Sequence, residues 1–397
     1  MRQYPQPPSG RSPWTRAQQS PPFPPEPVEG YGAAPAYGRG PSREDARRRR
    51  CRRARRRAWG GGALALFLVA GGTAVAWKLD AFNDNGEPMS FGTPRADSGK
   101  GVAVPQPVGG GVPEVQMPTG PAAEFVRANR LDDGTEIGRA RVSGAKSGFT
   151  GDVWVWAPKE YKDPRYARSG FPVLIALPGG EGYPVNYWMG TDLKLQSTIA
   201  ELAEQGRSLP FVVVMPVLNP DQKYYYDGSD IPGQPKMGTW MTEDVPDFVR
   251  QNFRTFTSRD GWAFMGSSSG GFVGLKSVLE KPDRFKAVIA SGPDTRPDSP
   301  LWKGHRAEME ANDPERLAQR LISRGGPEVY LNFQIGTKEG GRAALEQFVQ
   351  RFGKGPVHTT LRVIQGGGHN GRSYVQGMRD GSLEWISKVL KAPVPTR

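Results

Sequence analysis

Gly266-Ser267-Ser268-Ser269-Gly270 lies between an apolar run, Gly261-Trp262-Ala263-Phe264-Met265, and a helix-like run from Gly271 to Leu279. This order predicts a strand, a sharp turn and a helix. A serine on such a turn projects its hydroxyl above the sheet, and the next residue can aim its backbone N–H at a developing oxyanion. Only Ser268 has glycines at both required offsets; Ser267 and Ser269 do not. The small neighbours allow the turn to pack closely. The chemistry implied is attack by a serine hydroxyl, ending in hydrolysis or acyl transfer.

The chain has 397 residues and a formal net charge of +13. Located along the sequence, that charge loses its apparent nucleic-acid meaning. Residues 1–78 hold 15 Lys/Arg against 4 Asp/Glu, and the remaining 319 residues hold 38 against 36. The main domain is nearly neutral, so no nucleic-acid partner is expected.

Residues 1–57 read as a Pro-rich tail, expected to be disordered, closed by an arginine block from Arg47 to Arg57. Ala58 to Trp77 contains no charged residue. At ~1.5 Å rise per residue, such a segment just covers a hydrocarbon core of about 30 Å. Arginines precede it and Asp80, Asp84 and Glu87 follow, which predicts a single-pass helix at 58–77 with a cytoplasmic N-terminus. The polybasic block would also meet anionic lipid heads. Ala74-Val75-Ala76 resembles a signal-peptidase site, so release after Ala76 is the competing reading. Residues 78–121, rich in Gly and Pro, are expected to form an extracellular linker, and 122–397 the catalytic domain. Cys51 is the only cysteine and there are three histidines, so neither metal nor cofactor is expected.

From Glu124 onward, strand-like and helix-like stretches alternate, predicting one mostly parallel sheet covered on both faces. Phe171–Leu177 and Phe211–Pro216 read as buried strands, and 242–252 as an amphipathic helix with Pro246 near its start or kinking it. Ser373–Leu390 reads as a closing helix broken near Gly381.

In order and spacing, Val153 to Pro158, Pro172 to Gly180, Trp240 to Pro246, Gly266 to Gly271, Pro282 to Phe285, Gly336 to Glu339 and Gly367 to His369 resemble the α/β-hydrolase family that includes esterase D and the antigen 85 mycolyltransferases. The resemblance covers about Ile137 to Leu390. Departures are Pro178-Gly179-Gly180 where many relatives have His-Gly or Asp-Gly, Glu in the acid position, and Asn370-Gly371-Arg372 after His369, with Tyr374 in the nearby aromatic role.

His369, in a Gly-rich loop after the last strand, is the candidate general base. It completes the order serine, acid, histidine. Glu339, just after the strand ending at Ile335, is the candidate acid, with Asp294 and Glu346 as alternatives. The resemblance implies that the backbone N–H groups of Ser269 and Gly180 form the oxyanion hole. Tyr225, Tyr226 and Trp240 lie beyond a strand's carboxyl end, where loops border active sites, and are candidates for substrate binding or for packing. The expected activity is that of a membrane-anchored extracellular serine esterase. Acyl transfer to a sugar or lipid hydroxyl, and a catalytically silent binding module, are the alternatives.

Overall fold

A computed structural model describes residues 86–92 and 114–396. The tail at 1–57 and the expected membrane segment at 58–77 lie outside the described residues, as does most of the expected linker. Among the described residues, no helix is long and apolar enough to cross a membrane.

The strands are β1 (Pro88–Met89), β2 (Val115–Gln116), β3 (Phe125–Arg130), β4 (Glu136–Ser143), β5 (Thr150–Trp156), β6 (Val173–Leu177), β7 (Val212–Pro216), β8 (Thr255–Phe256), β9 (Trp262–Ser267), β10 (Ala287–Ser291), β11 (Val329–Gly336) and β12 (Val357–Ile364). The helices are α1 (Leu195–Glu204), α2 (Val245–Asn252), α3 (Ser269–Glu280), α4 (Arg306–Ala311), α5 (Pro314–Arg324), α6 (Arg342–Phe352), α7 (Gly371–Gly377) and α8 (Leu383–Val389).

Ten strands form one sheet in the order β1-β3-β4-β5-β7-β6-β9-β10-β11-β12. From β7 to β12 the neighbours pair in parallel, whereas β1, β3, β4 and β5 pair antiparallel. Each half follows from its connections. A helix separates every parallel pair in sequence, and short turns join β3 to β4 and β4 to β5. The residues of β6, β7, β9 and β10 are buried on both faces, as the uninterrupted apolar runs require. Strand β12 is mostly half-buried and carries His358, Thr359, Thr360 and Arg362, polar cover suited to a sheet edge.

Two pieces of the expected linker belong to the domain. Strand β1 pairs with β3, and β2 pairs with β8 in a separate two-stranded sheet. Phe91 is buried, with its ring 5.0 Å from that of Phe125 and 5.1 Å from that of Phe253. Each strand is only two residues long, too short to show a period in the sequence.

Pro246 is accommodated near the start of α2. A single turn at Met237–Thr239 and a π-type turn at Trp240–Asp244 lead into the helix, so the missing N–H falls where a wider turn already interrupts the α-helical ladder. The closing helix divides into α7 and α8 across a π-type turn at Met378–Ser382, where Gly381 takes φ 144°.

This topology gathers one edge of the sheet. Leu177 and Ala290 both pair with Gly266, Ser291 pairs with Ser267 and Gln334, and Gly336 pairs with Ile364. The loops after β6, β9, β10, β11 and β12 therefore begin side by side. They carry Gly180, Ser268, Gly292, Glu339 and His369.

Candidate active site

Ser268 leaves β9 with φ 52° and ψ −123°, a backbone conformation rare for a residue with a side chain. Such a conformation costs on the order of 1–3 kcal/mol and persists only where the surroundings impose it. Here its N–H donates to Ser291 O at 2.8 Å, and its carbonyl accepts Phe272 N–H at 2.9 Å. Closeness to the neighbouring backbone explains the flanking glycines. A Cβ on Gly266 would fall 2.4 Å from the Gly270 backbone, and one on Gly270 would fall 2.3 Å from Pro178 O.

The loop after β6 is tied to this turn. Ser269 Oγ donates to Gly180 O at 2.7 Å, and Gly179 N–H donates to Tyr187 Oη at 2.9 Å. The Tyr187 hydroxyl is also hydrogen-bonded to Ser267 Oγ. Burial pushes the Tyr187 phenol above its ordinary range, so it stays neutral. Asn186 anchors the start of this segment: it is fully buried and its Nδ2 donates to Ala176 O and Pro216 O, each at 2.8 Å. The N–H groups of Gly180 and Ser269 meet no acceptor among the described residues. Gly180 lines a cavity with Ser268, and Ser269 lines a second one that Ser268 also borders.

His369 Nδ1 lies 2.7 Å from Glu339 Oε2. The Glu339 side chain is 2% exposed and that of His369 is 53% exposed, so a buried carboxylate supports a ring that faces solvent. Glu339 Oε1 accepts Gly336 N–H at 2.6 Å, and Oε2 also accepts the Tyr374 hydroxyl at 2.7 Å. A carboxylate only accepts, so in the neutral ring the proton belongs on Nδ1 and the lone pair on Nε2. Ser268 and His369 both line a cavity of about 560 Å³, together with Gly179, Gly180, Tyr187 and Tyr225. Among the described residues no direct hydrogen bond joins Ser268 Oγ to the imidazole.

A second cavity of about 200 Å³ shares Ser268 and Tyr225 with the first and adjoins Ser269, Phe272, Val273 and three carboxylates, Asp227, Asp294 and Asp298. Burial raises the Asp227 carboxyl to about 6, against hydrogen bonds from Trp302 Nε1 at 2.6 Å and Ser299 N–H at 3.3 Å. Asp298 is also raised, first by burial and then by the neighbouring Asp294.

The remaining candidates separate clearly. Asp294 is exposed on the wall of the smaller cavity, and Glu346 pairs with Arg342 on the outer face of α6. Neither is bonded to His369. Tyr225 is 36% exposed and borders both cavities. Tyr226 and Trp240 border neither and need correction as substrate-binding candidates. Tyr226 is buried, with its hydroxyl on Asp221 Oδ2 at 3.0 Å. Trp240 is fully buried, donates Nε1–H to Val217 O at 3.2 Å and meets Phe149 edge to face. The loop packs these two rings inward because a long connection needs its own core. Tyr187 and the hydroxyl contacts of Tyr374 were not legible in the sequence, since both depend on which loops the sheet brings together.

These features define a serine hydrolase on an α/β-hydrolase fold. A model of the Esterase family, described as "Putative esterase", matches residues 153–385, and the chain belongs to that family. An uncharacterized protein of Corynebacterium glutamicum is 22% identical over 259 residues, 61% of this chain. The match spans 58% of that relative's own length. Among solved structures, a ferulic acid esterase superposes with TM-score 0.53 at 17% identity, covering 64% of this chain and 99% of that one. An S-formylglutathione hydrolase from Agrobacterium tumefaciens gives 0.52 at 18% identity, covering 66% and 98%. The feruloyl esterase module from Clostridium thermocellum gives 0.51 at 17%, covering 68% and 96%. At such identities the likeness concerns the fold.

Proposed function

We propose that this esterase cleaves carboxylic esters through an acyl-enzyme on Ser268, and that it does so outside the cell, anchored by residues 58–77. The observation that carries the catalytic reading is the 2.7 Å contact between His369 Nδ1 and buried Glu339, on the cavity that also holds Ser268. Ser268 Oγ attacks the ester carbonyl while its proton passes to His369 Nε2, and Glu339 steadies the imidazolium. The oxyanion takes hydrogen bonds from the N–H groups of Gly180 and Ser269, each such donor contributing ~3 kcal/mol in the transition state. As the tetrahedral intermediate collapses, His369 returns the proton to the leaving alkoxide. Water then repeats the sequence and releases the acid.

Labelling the full chain with a fluorophosphonate tests this reading. Wild type should form an adduct and Ser268→Ala should form none; an adduct that survives the substitution would end the assignment. Anchoring rests on the sequence of 58–77 and its flanking arginines, and membrane fractionation with external protease is its check.

Transfer of the acyl group to another alcohol is a second reading, favoured by the 53% exposure of the His369 side chain. An alcohol larger than water can reach an imidazole so placed. Turnover of one ester with and without a polyol separates the two, since transfer diverts product to the polyol ester.

A further inference from the structure

The Tyr374 hydroxyl touches both Glu339 and His369, and serine, histidine and acid chemistry does not by itself require it. Tyr374 lies on α7, five residues beyond His369, and is 1% exposed. Its hydroxyl is 2.7 Å from Glu339 Oε2 and 2.8 Å from His369 Nδ1, and the two rings meet edge to face at 5.8 Å. The Gly292 backbone closes the remaining side. A Cβ there would stand 2.2 Å from the Tyr374 hydroxyl, 2.8 Å from Glu339 Oε2 and 3.0 Å from His369 Nδ1. The three polar atoms thus form a packed triangle with no room for another side chain.

Counting protons assigns the roles. Glu339 Oε2 has none to give, so it accepts from both the phenol and Nδ1. Oε1 is already engaged by Gly336 N–H, which leaves the carboxylate with a donor on each oxygen in addition to the imidazole. Burial and the adjacent carboxylate hold the Tyr374 phenol above its ordinary range, so its proton remains available. Glutamate has one more rotatable bond than aspartate, and ordering its side chain costs up to about 2 kcal/mol of entropy. An acid of that length needs a fixed partner to stay beneath the imidazole.

We propose that Tyr374 is a positioning residue: its hydroxyl clamps Glu339 so that the carboxylate holds His369 in the Nδ1–H tautomer with Nε2 turned to the cavity. The proposal rests on the catalytic reading given above, and a double-mutant cycle keeps the two separable. In full-length protein, Tyr374→Phe should lower kcat by about 10- to 100-fold, leave KM within twofold, and slow fluorophosphonate labelling of Ser268 in proportion. In a Glu339→Gln background the same substitution should change kcat by less than about twofold, because no carboxylate remains to be clamped.

A ring that served packing alone would give the same decrement in both backgrounds, and that result overturns the proposal. Full activity in Tyr374→Phe with loss in Glu339→Gln also overturns it while sparing the triad. Full activity in Glu339→Gln overturns the triad instead. Thermal melting checks that each variant folds, and Tyr374→Met, which also lacks the hydroxyl, replaces Phe in the cycle should the Phe variant not fold.

Discussion

Adjacent tyrosines in this chain have opposite fates, and a single buried carboxyl carries a pH signature. Tyr225 borders the cavities while Tyr226 turns into the core, a distinction set by loop direction that composition cannot reveal. Ser268 and His369 were legible because a motif and a chain order name them, and Glu339 was one of three candidate acids; Tyr187 was not, because no local pattern marks it. Asp227 follows directly in the chain. It takes φ 51°, and burial raises its carboxyl to about 6, with Asp298 adding repulsion and Lys276 opposing it. The folded state therefore binds this proton more tightly than the unfolded chain, whose value is near 3.8. Its contribution to stability is fully present below about pH 4 and is lost as pH rises through about 6. Asp227→Asn keeps an acceptor for Trp302, suits the left-handed backbone and removes the ionisation. Near pH 7.5 the variant is expected to be more stable than wild type by up to about 3 kcal/mol, with the difference gone near pH 4. Urea midpoints at the two pH values are the check, and equal stability at pH 7.5 would count against a buried carboxylate there.

At the scale of elements, α3 does more than present the nucleophile. Lys276, 1% exposed on its inner face, donates Nζ hydrogens to Gly228 O at 2.6 Å, Ser229 Oγ at 2.8 Å and Asn312 Oδ1 at 3.1 Å. The helix thereby holds the loop that carries Tyr225 and Asp227 against the smaller cavity. The sequence offered only a lysine in a mostly apolar helix, with no indication that a distant loop would supply the acceptors. Lys276→Met retains the stem's packing and strands those acceptors without partners. A destabilisation of about 3 kcal/mol is expected, with a raised KM as Tyr225 loses its support. Chemical denaturation and ester kinetics measure the two effects. A loss below about 1 kcal/mol would show that the loop holds itself.

For the whole molecule, the domain begins earlier than its composition suggests. Phe91 and the two-residue strands β1 and β2 pack onto or pair with the region from Phe125 to Phe256. A chain begun at residue 122 would leave the site of Phe91 empty, and removal of a buried Phe side chain costs about 3–5 kcal/mol. That chain should melt well below one begun at residue 78, and matching melting temperatures would make the early segment dispensable. The sequence by itself determined the alternation of strands and helices, the serine turn and the order of catalytic candidates, because these follow from periodicity and from glycines required within a few residues. Only the tertiary structure decided which carboxylate meets His369, which aromatic rings line the cavity and that Tyr374 joins the acid. Those contacts span 30 to 80 or more residues or depend on loop direction, and they exist only once parallel pairing has brought the strand ends together.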